Sequence, residues 1–588
     1  MPEILNPENM TIARLLEGYH TGKFTVSQMM DQVHEAVSAS PEHVWIQRLS
    51  REELQVYVDG LAAKDPGALP LYGIPFAIKD NIDLAGVPTT AACPDYAYLP
   101  EQSAFVVQRL IDAGAIPVGK TNLDQFATGL NGTRSPYGIP GNAINPEYIP
   151  GGSSSGSAVA VALGQVSFSL GTDTAGSGRV PAAFHGLVGL KPTRGVLSMT
   201  GVVPACRTLD TVSIFALNSQ DAAAVFSVVA QNDPADPFGR SLKPHGVDFA
   251  ALPSFRVGVP RADQLEFFGD AEYQRLFAEA VEKTTTLGAN VIELDFQPFL
   301  DAARLLYEGP WVAERYRTAK DLLQSHPEAL LPVTRTIISK GEHFTAAATF
   351  EALERLAVLK KTCDQVWSQV DCILTPTAGT IYTIEELLND PIQLNTNLGH
   401  YTNFMNLLDY SAIALPAGFR TAGLPFGVTL FAPAHQDLPL LRLGHRWEGQ
   451  VLPFSSSASQ VEVAVCGAHL EGLPLNWQLT SRGGRLVRKT RSSAEYRFYA
   501  LAGGPPYRPG MVRVAEGGVS VDMEIWSLPV EHFGSFVAGI PAPLGIGTVR
   551  LEDGGSVLGF VCESAGTIGA TDISDLGSWR TYLKSPVK

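Results

Sequence analysis

Between residues 71 and 220, short runs rich in β-branched and aromatic residues (Ile74–Ile78, Ile116–Val118, Val166–Leu170) alternate with amphipathic stretches such as Phe105–Ala113. That alternation specifies an α/β layer architecture, because each helix must bury its apolar stripe against a sheet face. The 588-residue chain is longer than one core can hold, since single cores stop growing near roughly 250–300 residues, so a large domain plus a smaller one is expected. In the first 60 residues Thr25-Val26-Ser27-Gln28 has the form of a capping box ahead of Met29, Met30, Val33 and Val37 at helix spacing. Residues 260–450 read as long helices, including Glu272–Leu287 and Phe344–Val370, interrupted by the strand-like Cys372-Ile373-Leu374. Phe454-Ser455-Ser456-Ser457-Ala458-Ser459 has the small, polar composition of a linker. Beyond it Val461–Cys466, Tyr496–Leu501, Val519–Trp526 and Val557–Cys562 read as strands with Gly-Gly and Pro-Pro punctuation. The expected organisation is a first domain over 1–453, a linker over 454–460 and a second domain over 461–588.

Composition excludes several function classes. With 45% hydrophobic and 17% charged residues the chain suits a globular enzyme rather than a disordered protein. A formal charge of -16 argues against a surface that neutralises phosphates, so no nucleic-acid partner is expected. The basic run Arg482, Arg485, Arg488, Lys489 and Arg491 reads as a solvated turn and strand beside Gly483-Gly484. Six cysteines (Cys93, Cys206, Cys363, Cys372, Cys466, Cys562) form no CxxC pair and meet no histidine at zinc spacing, so neither a disulfide framework nor a metal site is expected. Met1-Pro2-Glu3-Ile4-Leu5 lacks a signal-peptide pattern, and the apolar run Ala158–Leu163 falls far short of a bilayer span. A cytoplasmic protein without a membrane partner is the expectation.

Three segments carry the chemistry when read together: Gly73-Ile74-Pro75-Phe76-Ala77-Ile78-Lys79-Asp80-Asn81, Pro150-Gly151-Gly152-Ser153-Ser154-Ser155-Gly156-Ser157, and Gly171-Thr172-Asp173-Thr174-Ala175-Gly176-Ser177-Gly178-Arg179. Alone, a lysine ending an apolar strand is more often a surface cap, and a Gly/Ser loop more often a turn or a phosphate cradle. Their order and spacing resemble the amidase signature family, serine hydrolases with a Lys, cis-Ser, Ser relay. The likeness extends over most of residues 10–450, where Asn122–Ala127 and Gly189–Thr193 also look like family segments. It implies an amidase-signature fold, with a central mixed β-sheet flanked by helices, plus a smaller α+β C-terminal domain. It further implies Lys79 as terminal base, Ser153 as bridging serine after a cis peptide, and Ser177 as nucleophile. Ser154 is the rival for the bridge; Ser153 is preferred because it directly follows Gly-Gly.

The physics suits those roles. A serine hydroxyl is a weak nucleophile until a positioned base takes its proton, and a lysine serves as that base only when burial keeps it neutral. Backbone N–H groups of Thr174, Ala175, Gly176 and Ser177 are expected to form the oxyanion hole. Ala175-Gly176-Ser177-Gly178-Arg179 departs from the commoner Gly-Gly-Ser-Ile-Arg and resembles the allophanate hydrolase branch. So does Leu305–Tyr316, where the resemblance assigns Tyr307 and Arg315 to the substrate carboxylate, with backbone groups of Gly129 and Leu130 as weaker candidate contacts.

The C-terminal segments Gly467–Asn476 and Ile540–Thr548 resemble the C-terminal domain of that branch, which is similar in fold to γ-glutamyl cyclotransferases. The resemblance places His469 at a candidate site for decarboxylating the first product; assembly of the oligomer is the competing role. The implied activity is hydrolysis of allophanate, the carboxylate of urea, to ammonia and N-carboxycarbamate, which decarboxylates to give two ammonia and two carbon dioxide overall. A broad small-molecule amidase or an amidotransferase-type subunit is the alternative. No cofactor is expected, and the expected partners are the small-molecule substrate, a second copy in a homodimer, and a functional link to a separate biotin-dependent urea carboxylase.

Overall fold

The computed structural model describes residues 7–62, 64–243, 248–252, 254–450 and 460–585, so residues 454–459 of the expected linker lie outside it. The chain forms two compact units, Met1–Lys243 with Pro253–Leu452 and Pro244–Leu252 with Pro453–Lys588. Among the described residues between the two parts of the first unit, 248–252 group with the second.

The first unit is built on an eleven-stranded sheet: β1 (Trp45–Arg48), β2 (Pro75–Lys79), β3 (Ile116–Thr121), β4 (Phe168–Asp173), β5 (Val188–Lys191), β6 (Thr211–Ala216), β7 (Phe255–Pro260), β8 (Ala289–Leu294), β9 (Cys372–Pro376), β10 (Tyr410–Phe419) and β11 (Pro425–Pro433). Their spatial order is β1-β3-β2-β4-β6-β5-β10-β11-β9-β7-β8. β2 runs parallel to both β3 and β4, and β7 parallel to β8 and β9, while the remaining neighbours are antiparallel, so the sheet is mixed. Every residue of β2 through β6 is buried, including polar ones such as Lys79, Lys120, Thr121, Ser169, Asp173 and Ser213, as expected of strands covered on both faces. Phe76 and Phe168 face each other across the β2–β4 register and stack at 5.3 Å, anchoring the parallel pair whose far ends carry Lys79 and Thr172.

Helices pack on this sheet where the sequence supplies caps and apolar stripes. The Thr25–Gln28 capping box is formed and starts the helix Val26–Ser38, burying Met29, Met30, Val33 and Val37. The expected helix at 272–287 runs Ala271–Thr286, with the Asp270 side chain capping Tyr273 N–H. The expected Phe344–Val370 helix is shorter, Ala346–Cys363, followed by a 3-10 turn Asp364–Ser368. Three strands, β8, β10 and β11, stand where the sequence reads as helical. β10 contains three alanines, a proline and a glycine, which carry little intrinsic strand preference; burial between β5 and β11 makes it a strand. Among the described residues no helix is long and apolar enough to cross a membrane.

The second unit has a five-stranded sheet in the order β13-β16-β12-β18-β17 and a three-stranded one, β15-β14-β19. The strands are β12 (Gln460–Val465), β13 (Arg485–Arg491), β14 (Tyr496–Ala500), β15 (Pro509–Arg513), β16 (Asp522–Pro529), β17 (Leu544–Arg550), β18 (Ser556–Cys562) and β19 (Thr571–Asp572). Its own core includes Val463, Val465, Phe498, Ile525, Leu528, Phe536 and Trp579. Of the basic run, Arg482 lies in the preceding turn and the rest on β13, largely exposed, with Arg488, Lys489 and Arg491 paired to Asp553, Glu471 and Asp522. All six cysteines are buried free thiols.

The helix Ser155–Ala162 packs on β2, β3 and β4 and sets the level of the segment before it. Its Gly156 N–H donates to Asn122 O at 3.0 Å, and a Cβ at Gly156 would collide with Val44 O and lie 2.7 Å from Asn122 N, both rigid backbone atoms. Gly156→Ala is therefore expected to cost on the order of 1–3 kcal/mol and lower the calorimetric unfolding midpoint of the first unit. An unchanged midpoint would show that this backbone contact yields freely.

Candidate active site

Lys79 ends β2, Thr172 lies near the end of the adjacent parallel strand β4, and Ser153 shortly precedes the helix Ser155–Ala162, so three separate segments meet at the C-terminal edge of the parallel pair. Lys79 Nζ is fully buried and lies 2.7 Å from Ser153 Oγ and 2.7 Å from Thr172 Oγ1. Burial lowers its pKa to about 7, against the opposing fields of Asp124, Asp210 and Asp173, and the Arg315 charge lowers it further. A neutral amine so placed can donate one N–H to Thr172 and accept the Ser153 proton on its lone pair. Thr172 was missed by sequence reading; only its position one residue before Asp173 on an apolar strand marks it.

The Gly152–Ser153 peptide is cis. Ser154 is occupied elsewhere, its Oγ accepting from Thr172 N–H and donating to Thr172 O, so the lysine meets Ser153 and not its rival. Asp124 secures the approach: its N–H donates to Ser153 O, while its carboxylate accepts the backbone N–H groups of Asn131, Gly132 and Arg134. A Cβ at Gly152 would collide with Asp124 Oδ2, which is the requirement for glycine there.

Ser177 lies in the turn between β4 and the short helix Val180–Phe184, and it is 3% exposed. Its Oγ donates to Gly129 O at 3.5 Å, so the hydroxyl points to the 124–134 loop rather than completing a hydrogen bond to Ser153. Catalytic hydrogen bonds are commonly loose without substrate. The turn is tied down by Asp173, whose carboxylate accepts Gly176 N–H and Gly178 N–H at 3.0 Å and pairs bidentately with the buried Arg179. Gly176 therefore departs from expectation: its N–H is already engaged, whereas those of Thr174, Ala175 and Ser177 have no protein acceptor among the described residues.

Arg315 is 2% exposed, on the first turn of the helix Val312–Ser325, and Tyr307 lies near the end of the helix Gln297–Glu308. The guanidinium donates to Ala127 O (3.1 Å), Thr128 Oγ1 (2.9 Å) and Tyr307 Oη (3.5 Å) and sits over the Tyr307 ring. Among the described residues it forms no ion pair with a carboxylate. Ala127, Thr128 and Gly129 are consecutive, so this buried cation and the Ser177 hydroxyl grip adjacent points of one loop. Leu130 N–H donates to Asn395 Oδ1 at 2.8 Å, which leaves it no free donor for a ligand; Gly129 presents its carbonyl.

His469 stands in the second unit, lining a cavity of about 120 Å³ with Cys466, Gln478, Arg508 and Phe560. Its Nε2 lies 2.9 Å from Gln478 Oε1, its ring stacks on Phe560 at 4.9 Å, and burial holds its pKa below the usual value, so it is neutral. No cluster of three or more metal-ligating side chains occurs among the described residues.

Comparison with known proteins follows the same two-unit division. Residues 31–441 match the amidase family and residues 461–584 the allophanate hydrolase C-terminal domain. Urea amidolyase of Saccharomyces cerevisiae is 42% identical over 95% of this chain, which spans about a third (32%) of that protein's length. The allophanate hydrolase of Kluyveromyces lactis superposes with a TM-score of 0.74 at 39% identity, covering 98% of this chain and 99% of that one. The glutamyl-tRNA(Gln) amidotransferase chain of a Synechococcus strain is 32% identical over 75% of this chain and 97% of its own length. With the lysine, the two serines and the surrounding turns in place, the chain belongs to the amidase family and carries an allophanate hydrolase C-terminal domain behind its amidase domain.

Proposed function

We propose that this chain hydrolyses allophanate at its urea amide bond. The observation that carries the reading is Arg315: a guanidinium cannot shed its proton, and a fully buried one without a carboxylate partner awaits an anion. A substrate with its carboxylate on Arg315 and Tyr307 brings its carbonyl to Ser177, one loop residue away. So small a molecule has little apolar area to bury, which leaves charge-assisted hydrogen bonds as its handle.

Ser177 Oγ attacks the carbonyl as its proton passes through Ser153 to neutral Lys79. The amides of Thr174, Ala175 and Ser177 stabilise the developing oxyanion. Collapse expels ammonia, which takes the proton returned through the same relay, and leaves the acyl group on Ser177. Water then releases it, so that allophanate and water yield ammonia and N-carboxycarbamate. Loss of carbon dioxide from that product gives carbamate, which on protonation breaks down to ammonia and a second carbon dioxide, so that two ammonia and two carbon dioxide form overall, and the cavity around His469 is the candidate place for the first decarboxylation. The enzyme acts in the cytoplasm, functionally linked to a biotin-dependent urea carboxylase activity. It works as a homodimer, for which the exposed apolar residues Phe350, Leu353 and Val358 on the helix Ala346–Cys363 offer a surface.

Ser177→Ala and Lys79→Ala are each expected to lower kcat for ammonia release about 10⁴-fold or more, because relay members fail as a unit. Several per cent of residual activity in Ser177→Ala would move the nucleophile elsewhere. With the Lys79 pKa near 7, activity should rise as pH increases through 7 and level off above it, since only the neutral amine accepts a proton. A rate independent of pH across that window would rule out a lysine base.

Arg315→Ala should reduce kcat/KM for allophanate by about 2–5 kcal/mol equivalent, with Arg315→Lys rescuing only in part because an ammonium lacks the planar fork. Unchanged kcat/KM would remove the substrate assignment in favour of a broad amidase. In the full chain, His469→Ala should leave the first ammonia unaffected and slow carbon dioxide release; decay at the wild-type rate would reassign the second unit to assembly.

A further inference from the structure

We infer that Asp210 is a positioning residue that couples the oxyanion turn at Thr174 to the helix carrying Arg315, so that one carboxylate aligns both ends of the substrate site. The inference rests on the reading of Arg315 as a carboxylate clamp.

Asp210 lies just before β6, is 5% exposed, and uses both oxygens. Oδ1 accepts from the Thr174 hydroxyl at 2.5 Å and from Cys206 N–H at 3.1 Å; Oδ2 accepts from Ala205 N–H at 2.8 Å and from Cys206 N–H at 3.1 Å. On one side it therefore holds the first residue of the turn that offers free amides to an oxyanion. On the other it folds the 204–209 loop into a fixed shape.

That loop grips the Arg315 helix at three points. Pro204 O accepts from Thr318 Oγ1 at 3.0 Å, Cys206 Sγ donates to Trp311 O at 3.3 Å, and Thr208 donates through its N–H (2.9 Å) and hydroxyl (2.5 Å) to the Glu314 carboxylate. Trp311 immediately precedes the helix and Glu314 precedes Arg315, so the loop holds the helix on both sides of the guanidinium's own residue. Burial pushes the Asp210 carboxyl up to about 6; the Thr174 hydroxyl, the Cys206 and Ala205 amides and the Arg315 charge oppose that rise, and it remains ionised at neutral pH. Because the Thr174 hydroxyl also accepts, an asparagine with its NH₂ toward Thr174 keeps both grips, whereas an alanine removes every acceptor for Thr174, Ala205 and Cys206 and cuts both. The backbone keeps a separate tie, because Asn406 Nδ2 donates to both Asp173 O and Leu209 O, and the local fold does not depend on Asp210 alone.

The test is steady-state kinetics of the full-length protein on allophanate. Thr174→Val should lower kcat about 10-fold and leave KM, Thr208→Val should raise KM about 5-fold and leave kcat, and Asp210→Ala should do both. Adding Thr174→Val to Asp210→Ala should cost no further kcat, since the link is already cut. The inference is overturned if Asp210→Ala lowers the unfolding midpoint while the folded enzyme keeps wild-type kcat and KM, or if the two kcat losses multiply. Should Asp210→Ala not fold, the two threonine variants decide: a kcat effect and a KM effect that fail to separate overturn it. If the wild type hydrolyses a neutral amide and not allophanate, the proposed function fails by itself, and the Thr174/Asp210 cycle in kcat, run on that amide, still decides whether Asp210 holds the turn.

Discussion

An amine buried without its charge is the constraint on which the site depends. Nζ of Lys79 is fully buried and, among the described residues, has no carboxylate within ion-pair distance, so desolvation brings its pKa to about 7. Two hydroxyls at 2.7 Å replace the lost hydration, and they come from different parts of the chain, Ser153 before a helix and Thr172 near the end of a strand. Holding those three atoms together requires β2 and β4 to run parallel in one register, which the stacked Phe76 and Phe168 anchor, and requires the helix Ser155–Ala162 to lie against the backbone of Val44 and Asn122. The packing of the first unit is thus tied to the protonation state of one side chain.

The site handles its two kinds of inward cation in opposite ways. A lysine adapts to burial by giving up a proton, whereas a guanidinium keeps its charge and must find negative partners. Arg179 has one in Asp173, and its bidentate pair stiffens the nucleophile turn. Arg315 donates only to neutral acceptors, Ala127 O, Thr128 Oγ1 and Tyr307 Oη, and among the described residues no carboxylate pairs with it directly, although the charges of Asp210 and Glu314 act on it from farther off. Buried carboxylates meanwhile serve as turn-makers: Asp124, Asp173 and Asp210 each accept two or three backbone amides in the loops around the serines. Their summed field also keeps the Lys79 pKa from falling further.

Much of this was legible in the residues themselves. The alternation of buried strand and amphipathic helix over 71–220, the capping box at Thr25, and the spacing of Lys79, Ser153 and Ser177 are local or ordered along the chain, so the sequence by itself determined the α/β class, the family and the candidate reacting side chains. Tertiary structure decided what depends on distant partners. It made strands of Tyr410–Phe419 and Pro425–Pro433, whose own preference is weak, because the sheet buries them. It engaged the N–H of Gly176 with Asp173 and that of Leu130 with Asn395, 265 residues away. It brought Thr172 to the lysine and left Arg315 among neutral acceptors, since a side chain's partners are set by packing and not by its neighbours in sequence.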